Sequence, residues 1–118
     1  MLDEGDPYTI AWDAENECIL YIDQTLLPGR YEQMRCATID DLARAIRRLE
    51  IRGAPALGIA GAMGVALAAV RSTETDLGRF SGEVARAGEL LRGTRPTAVN
   101  LAWGIDRVLG KMALAASV

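Results

Sequence analysis

The sequence predicts an α+β domain: a small antiparallel β-sheet of about three strands, followed by a helical bundle of about four helices. Three observations carry this reading. Residues 8–36 hold short runs rich in β-branched and aromatic residues, divided by polar turns, which is the signature of strands joined as hairpins. From Thr38 the apolar spacing changes to the helical period and keeps it to the end of the chain. Glycine and proline then punctuate the helical part at Gly53-Ala54-Pro55 and at Gly93-Thr94-Arg95-Pro96, where one helix is expected to stop and the next to start. The 118 residues suffice for one domain with a core and are too few for two ordinary ones, so 1–118 is read as a single domain.

The elements follow in order. Tyr8-Thr9-Ile10-Ala11-Trp12 and Cys18-Ile19-Leu20-Tyr21-Ile22 flank the polar turn Asp13-Ala14-Glu15-Asn16 and suggest an antiparallel hairpin. Leu26-Leu27-Pro28-Gly29-Arg30 is a turn, and Tyr31-Glu32-Gln33-Met34-Arg35-Cys36 supplies the third strand. Thr38 suits a helix N-cap, with Asp40 and Asp41 in the first turn and Arg44, Arg47 and Arg48 toward the other end, as the helix dipole favours. Ile39, Leu42, Ala43, Ile46 and Leu49 form its apolar stripe, and Gly53 is placed just past its end in the left-handed conformation. The next helix spans residues 55–70, carries no charge and is mostly Gly and Ala. Gly58, Gly61 and Gly64 each cost about 0.5–1 kcal/mol relative to alanine, so close approach of another backbone must offset them. At the short end of a membrane span and poor in bulky apolar residues, this segment reads as a buried central helix. A third helix starts near Thr75 or Asp76, with Leu77, Phe80, Val84, Ala87 and Leu91 on its buried face. The last carries Ala98, Leu101, Ile105, Val108, Leu109 and Met112 on one face, and Trp103 reads as core. It has no Gly or Pro stop, so the native chain is expected to continue.

Composition excludes several functions. Half of the residues are hydrophobic and a quarter charged, with a net charge of −3, as in a soluble globular protein with no long-range attraction for nucleic acid or an anionic membrane. There is no histidine, hence no His-based triad or metal cluster. Cys18 and Cys36 match no metal-ligand spacing. The start, Met1-Leu2-Asp3-Glu4-Gly5-Asp6-Pro7, is acidic without the apolar core of a signal peptide. A cytoplasmic location with reduced thiols is therefore expected.

Two segments share one design. At Arg52-Gly53-Ala54 and Arg95-Pro96-Thr97 an arginine stands before a helix start. A helix N-terminus offers free amide hydrogens and a partial positive charge, and a guanidinium adds a planar fork that grips phosphate. Asp23 and Gln24 read as a strand end. Asn100, one turn into the last helix, could reach a ligand or cap a neighbour. Arg35 adjoins Cys36, but neighbours in a strand point to opposite faces, so no activated thiolate is inferred.

The segments Ile22-Asp23-Gln24-Thr25-Leu26-Leu27-Pro28, Ile51-Arg52-Gly53-Ala54-Pro55-Ala56-Leu57-Gly58-Ile59-Ala60 and Arg95-Pro96-Thr97-Ala98-Val99-Asn100-Leu101 occur in that order. This pattern resembles the N-terminal region of methylthioribose-1-phosphate isomerases of methionine salvage, a family related to ribose-1,5-bisphosphate isomerases and to regulatory subunits of the initiation-factor exchange complex. The resemblance implies conversion of an aldose 1-phosphate with a 5-methylthio group into the ketose 1-phosphate, with no metal or organic cofactor. It implies an N-terminal domain followed by a Rossmann-like domain that holds the catalytic cysteine and aspartate and is absent from these residues. It places substrate binding on Arg52, Gly53, Ala54 and Arg95, with no catalytic residue here. The expected partners are a small sugar phosphate and further copies of the chain, with no nucleic acid and no membrane. The alternatives are an isomerase of another ribose 1-phosphate derivative, such as the 5-deoxy compound, or a non-catalytic regulatory or assembly domain.

Overall fold

The computed structural model describes residues 9–116. Three strands, β1 (Ile10–Asp13), β2 (Cys18–Ile22) and β3 (Gln33–Cys36), precede four helices, α1 (Ile39–Arg47), α2 (Ala54–Arg71), α3 (Leu77–Thr94) and α4 (Val99–Ala116). The expected order of sheet then bundle is the observed one, an α+β fold. Tyr8, the expected start of the first strand, lies outside the described residues.

The sheet is an antiparallel meander in chain order, with Trp12 opposite Ile19 and Ile19 opposite Cys36. The first turn is tied by the Asp13 carboxylate, which accepts the amide hydrogens of Glu15 at 3.2 Å and Asn16 at 3.3 Å. All five residues of β2 are buried, because this central strand is covered on both sides. Its alternation sorts Ile19 and Tyr21 to the main core under the helices, and Cys18, Leu20 and Ile22 to a second apolar cluster with Ala11, Tyr31 and Ala37. Cys36 belongs to the main core and Cys18 to the other cluster, and both are free thiols. The period of two thus turns the cysteines to opposite faces of the sheet. Burial drives the Cys36 thiol up to about 12, so Arg35 does not activate it; Arg35 lies 3.8 Å from Asp13 instead.

The side chains of Asp23 and Gln24 act locally. Asp23 caps a short 3-10 helix, Gln24–Leu26, by accepting from the Thr25 amide at 2.9 Å and the Thr25 hydroxyl at 2.6 Å. The Gln24 side chain donates to the Ile22 carbonyl at 3.0 Å.

Thr38 caps α1 as expected, its hydroxyl accepting from the Asp41 amide at 3.1 Å. The helix end differs from the expectation. α1 stops at Arg47, and the left-handed residue past it is Leu49, at φ 62°, whereas Gly53 belongs to the next helix. Leu49 therefore leaves the apolar stripe and is 44% exposed. Nothing in the residue type announces this, since a leucine with positive φ is disfavoured by the clash of its Cβ with the following carbonyl.

α2 is the hub of the bundle, touching the other three helices and two strands. It is long and apolar enough to cross a membrane by length and composition alone, and here it is the packed centre of the domain. The expected backbone approach is present and α4 makes it. A Cβ on Gly61 would lie 2.5 Å from the Leu101 carbonyl oxygen, and one on Gly104 would overlap the carbonyl of Gly58. Gly64 differs: it makes room for the side chains of Leu42 and Leu91. By number of buried residues α2 leads the helices, with seven of 18. By fraction the short α1 does, with four of nine, because the first turn of α2 opens onto a cleft.

α3 begins at its Asp76 cap, which accepts from the Arg79 amide at 2.9 Å. Val84, Gly88 and Leu91 face the core, whereas Leu77, expected on that face, is 59% exposed because it is the first residue of the helix and precedes the packed turns. On α4, Leu101 and Ile105 are fully buried and Val108, Leu109 and Met112 partly so. Trp103 is not core. It is 59% exposed, with the Arg107 guanidinium 5.2 Å from its ring centroid, because Gly104, not Trp103, takes the place against α2.

Candidate functional site

The contacts that join α2 to α4 also reveal the relative direction of the two helices. Asn100 meets Ala54, Gly104 meets Gly58 and Ala62, and Ile105 meets Gly61. The contacts advance together along both helices, so α2 and α4 run parallel and their N-termini lie side by side. The Asn100 side chain fastens them, donating from Nδ2 to the Ala54 carbonyl at 3.1 Å. Asn100 stands in the first turn of α4, because the helix begins at Val99.

Parallel helices add their partial positive charges at the shared end. Between these ends lies an open cleft of about 450 Å³, lined by Arg52, Gly53, Ala54, Arg95 and Asn100, with Leu49, Leu57, Ala98 and Val99 as its apolar part. All four residues singled out from the sequence, Arg52, Gly53, Ala54 and Arg95, are in this lining. Among the described residues no carboxylate lines it, and neither arginine forms an ion pair.

Each arginine arrives by a different local route. Arg52 ends the loop after α1, and Gly53 caps α2 with φ 95° and ψ 141°, a conformation essentially reserved for glycine. A Cβ on Gly53 would meet nothing within 4 Å, so the glycine is required by its dihedral angle and not by crowding. No side chain caps α2, which leaves its first amides open to the cleft, save that Pro55 has none to give. Arg95 does not stand immediately before a helix start, as the sequence suggested. It is the C-cap of α3, and residues 96–98 form a turn in which the Ala98 amide donates to the Arg95 carbonyl at 2.9 Å. Pro96 thus sits in this turn and removes no donor from α4.

Two arginines beside two helix starts give this lining the chemistry of an anion site. Among the described residues it offers no group able to move a proton near neutral pH, since the lining side chains that ionise are arginines only. The sequence pointed to the arginines through helix punctuation. It missed Leu49 and Val99, whose place in the cleft depends on where α1 ends and α4 begins.

Comparison with known proteins places the chain in a family. A model of the initiation factor 2 subunit family matches residues 50–117, a stretch that contains both arginines. A Methanosarcina acetivorans relative, provisionally named a methylthioribose-1-phosphate isomerase, is 50% identical over 101 residues, covering 86% of this chain and 29% of the relative. The solved structure of 5-methylthioribose 1-phosphate isomerase from Pyrococcus horikoshii is similar with a TM-score of 0.81 at 35% identity, over 87% of this chain and 28% of that one. The structure of translation initiation factor eIF-2B, subunit delta, from A. fulgidus gives 0.80 at 44% identity, over 86% and 29%. The chain thus spans less than a third of the length of these relatives. With its α+β fold, its paired arginine segments and a family model matched over more than half of its residues, the chain belongs to the initiation factor 2 subunit family.

Proposed function

We propose that this chain supplies the phosphate-binding part of an aldose–ketose isomerase that converts 5-methylthioribose 1-phosphate into 5-methylthioribulose 1-phosphate in methionine salvage. The observation that carries the proposal is the meeting of Arg52 and Arg95 with the N-termini of α2 and α4 in one cleft without carboxylates. The names of two relatives support this choice of sugar. Such an isomerisation moves hydrogen from carbon 2 to carbon 1 and leaves the phosphate attached. A group that grips the phosphate therefore holds reactant and product alike, which anchors the sugar without performing the chemistry. The proton-moving groups must come from elsewhere, and we assign them to a further domain of the complete protein, working in the cytoplasm as a homo-oligomer.

The test is turnover of 5-methylthioribose 1-phosphate by the product of the complete reading frame, with the 118-residue chain as a control. The complete protein should turn the sugar over and this chain alone should not. Arg52→Ala and Arg95→Ala in the complete protein should each weaken substrate binding by about 1.5–3 kcal/mol, as for a lost hydrogen bond to a charged group. Turnover of the 5-deoxy sugar alone would move the assignment to that substrate. Turnover by this chain alone would contradict the absence of catalytic residues. A second reading, a regulatory or assembly subunit, draws on the likeness to the A. fulgidus structure; it predicts that the complete protein turns over neither sugar.

A further inference from the structure

We infer that Tyr21 and Glu50 are positioning residues for the cleft: their hydrogen bond anchors the loop that carries Arg52 and Gly53 to the central strand of the sheet. The inference rests on the proposed reading of the cleft as a phosphate site. The loop of residues 48–53 joins α1 to α2 and contains the disfavoured left-handed Leu49. Glu50, the next residue, is held from three sides. Its side chain accepts from the Tyr21 hydroxyl at 2.7 Å. Its carbonyl accepts from the Gln24 amide at 2.9 Å, and its amide donates to the Ala45 carbonyl at 2.9 Å. Ile51 beside it is buried in the main core. Arg52 follows two residues after Glu50, within about 7 Å along the chain.

Tyr21 is suited to this task. It is buried, on a strand paired on both edges, so its ring has little room to move. Burial and the Glu50 contact push its phenol above its ordinary value, so the hydroxyl keeps its proton and stays a donor. Cutting this bond leaves the fold's apolar contacts in place but frees the loop to leave the geometry in which Arg52 faces the cleft. The apparent dissociation constant then rises by the inverse of the competent fraction. A loop that is competent a third of the time binds about threefold more weakly.

Inorganic phosphate, titrated into the chain and followed by amide chemical shifts at Gly53 and Ala54, tests this. Tyr21→Phe and Glu50→Ala should each raise the dissociation constant about threefold or more. Glu50→Gln, whose amide oxygen still accepts from Tyr21, should stay close to the wild type. Val84→Ala, a core change in α3 away from the loop, should lower the melting temperature and leave phosphate affinity unchanged. Wild-type affinity in Tyr21→Phe, equal weakening by Val84→Ala, or Glu50→Gln as weak as Glu50→Ala would each overturn the inference while leaving the phosphate site standing. Failure of the wild type to bind phosphate would remove the site itself and this inference with it.

Discussion

Leu49 shows how a single residue can escape a reading of the sequence. Its spacing from Ile46 continues an apolar stripe, yet the helix ends before it and its backbone turns left-handed. The left-handed turn serves the helix cap, in which the Leu49 and Glu50 amides donate to the Ile46 and Ala45 carbonyls at 3.1 and 2.9 Å, a place that glycine usually takes and that leucine does not announce. The cost is testable by comparing two variants that lose the same side chain. Leu49→Gly should be more stable than Leu49→Ala by about 1 kcal/mol, since only glycine is free of the left-handed penalty. In a helix interior the order would be reversed, so calorimetric melting of the two proteins separates the cases. Cys36 gives a second residue-scale expectation. Its thiol rises from 9.0 to about 12 on folding, chiefly through burial. Above pH 9 the unfolded chain releases this proton and the folded chain keeps it. The stabilisation is thus complete below pH 9 and is lost as pH rises from 9 to 12. Denaturant midpoints measured across that range should fall, and Cys36→Ser should flatten this part of the decline.

The helices were largely legible because their signals are local. Thr38 and Asp76 cap as their residue types suggest, and the glycines of α2 pointed to a close backbone before any partner was known. What could not be read was which helix would approach, and the start of α4, where Pro96 looked like a first-turn residue and proved to lie in the preceding turn. The two glycines of α4 turn this packing into a measurement. Gly104→Ala places a methyl against the backbone of Gly58 and Ala62, whereas Gly110→Ala meets nothing within 4 Å. Overpacking costs about 1–3 kcal/mol, and the upper end is expected for Gly104 because backbone cannot swing aside as a flexible side chain does. Gly110→Ala should instead stabilise by about 0.5–1 kcal/mol through helix propensity. Thermal unfolding of both variants gives the two signs, and equal effects would contradict the close parallel packing of α2 and α4.

At the scale of the whole molecule, the sheet and bundle were legible from the change of hydrophobic period, while the cleft was legible only in its parts. Each arginine segment announced an anion site, but their meeting depends on α2 and α4 running parallel on either side of α3 and on the close approach that Gly61 and Gly104 allow. The net charge of −3 gives the molecule no general attraction for phosphate, so binding needs a local basic site such as the arginine-lined cleft. A phosphate titration of the chain, read simultaneously at the amides of both helix starts, tests that convergence. Gly53 and Ala54 on one side and Val99 and Asn100 on the other should shift with a single dissociation constant. Either Arg52→Ala or Arg95→Ala should weaken the response at both helix starts together. Shifts at one helix start that survive unchanged when the other arginine is removed would show two separate weak sites and contradict that convergence.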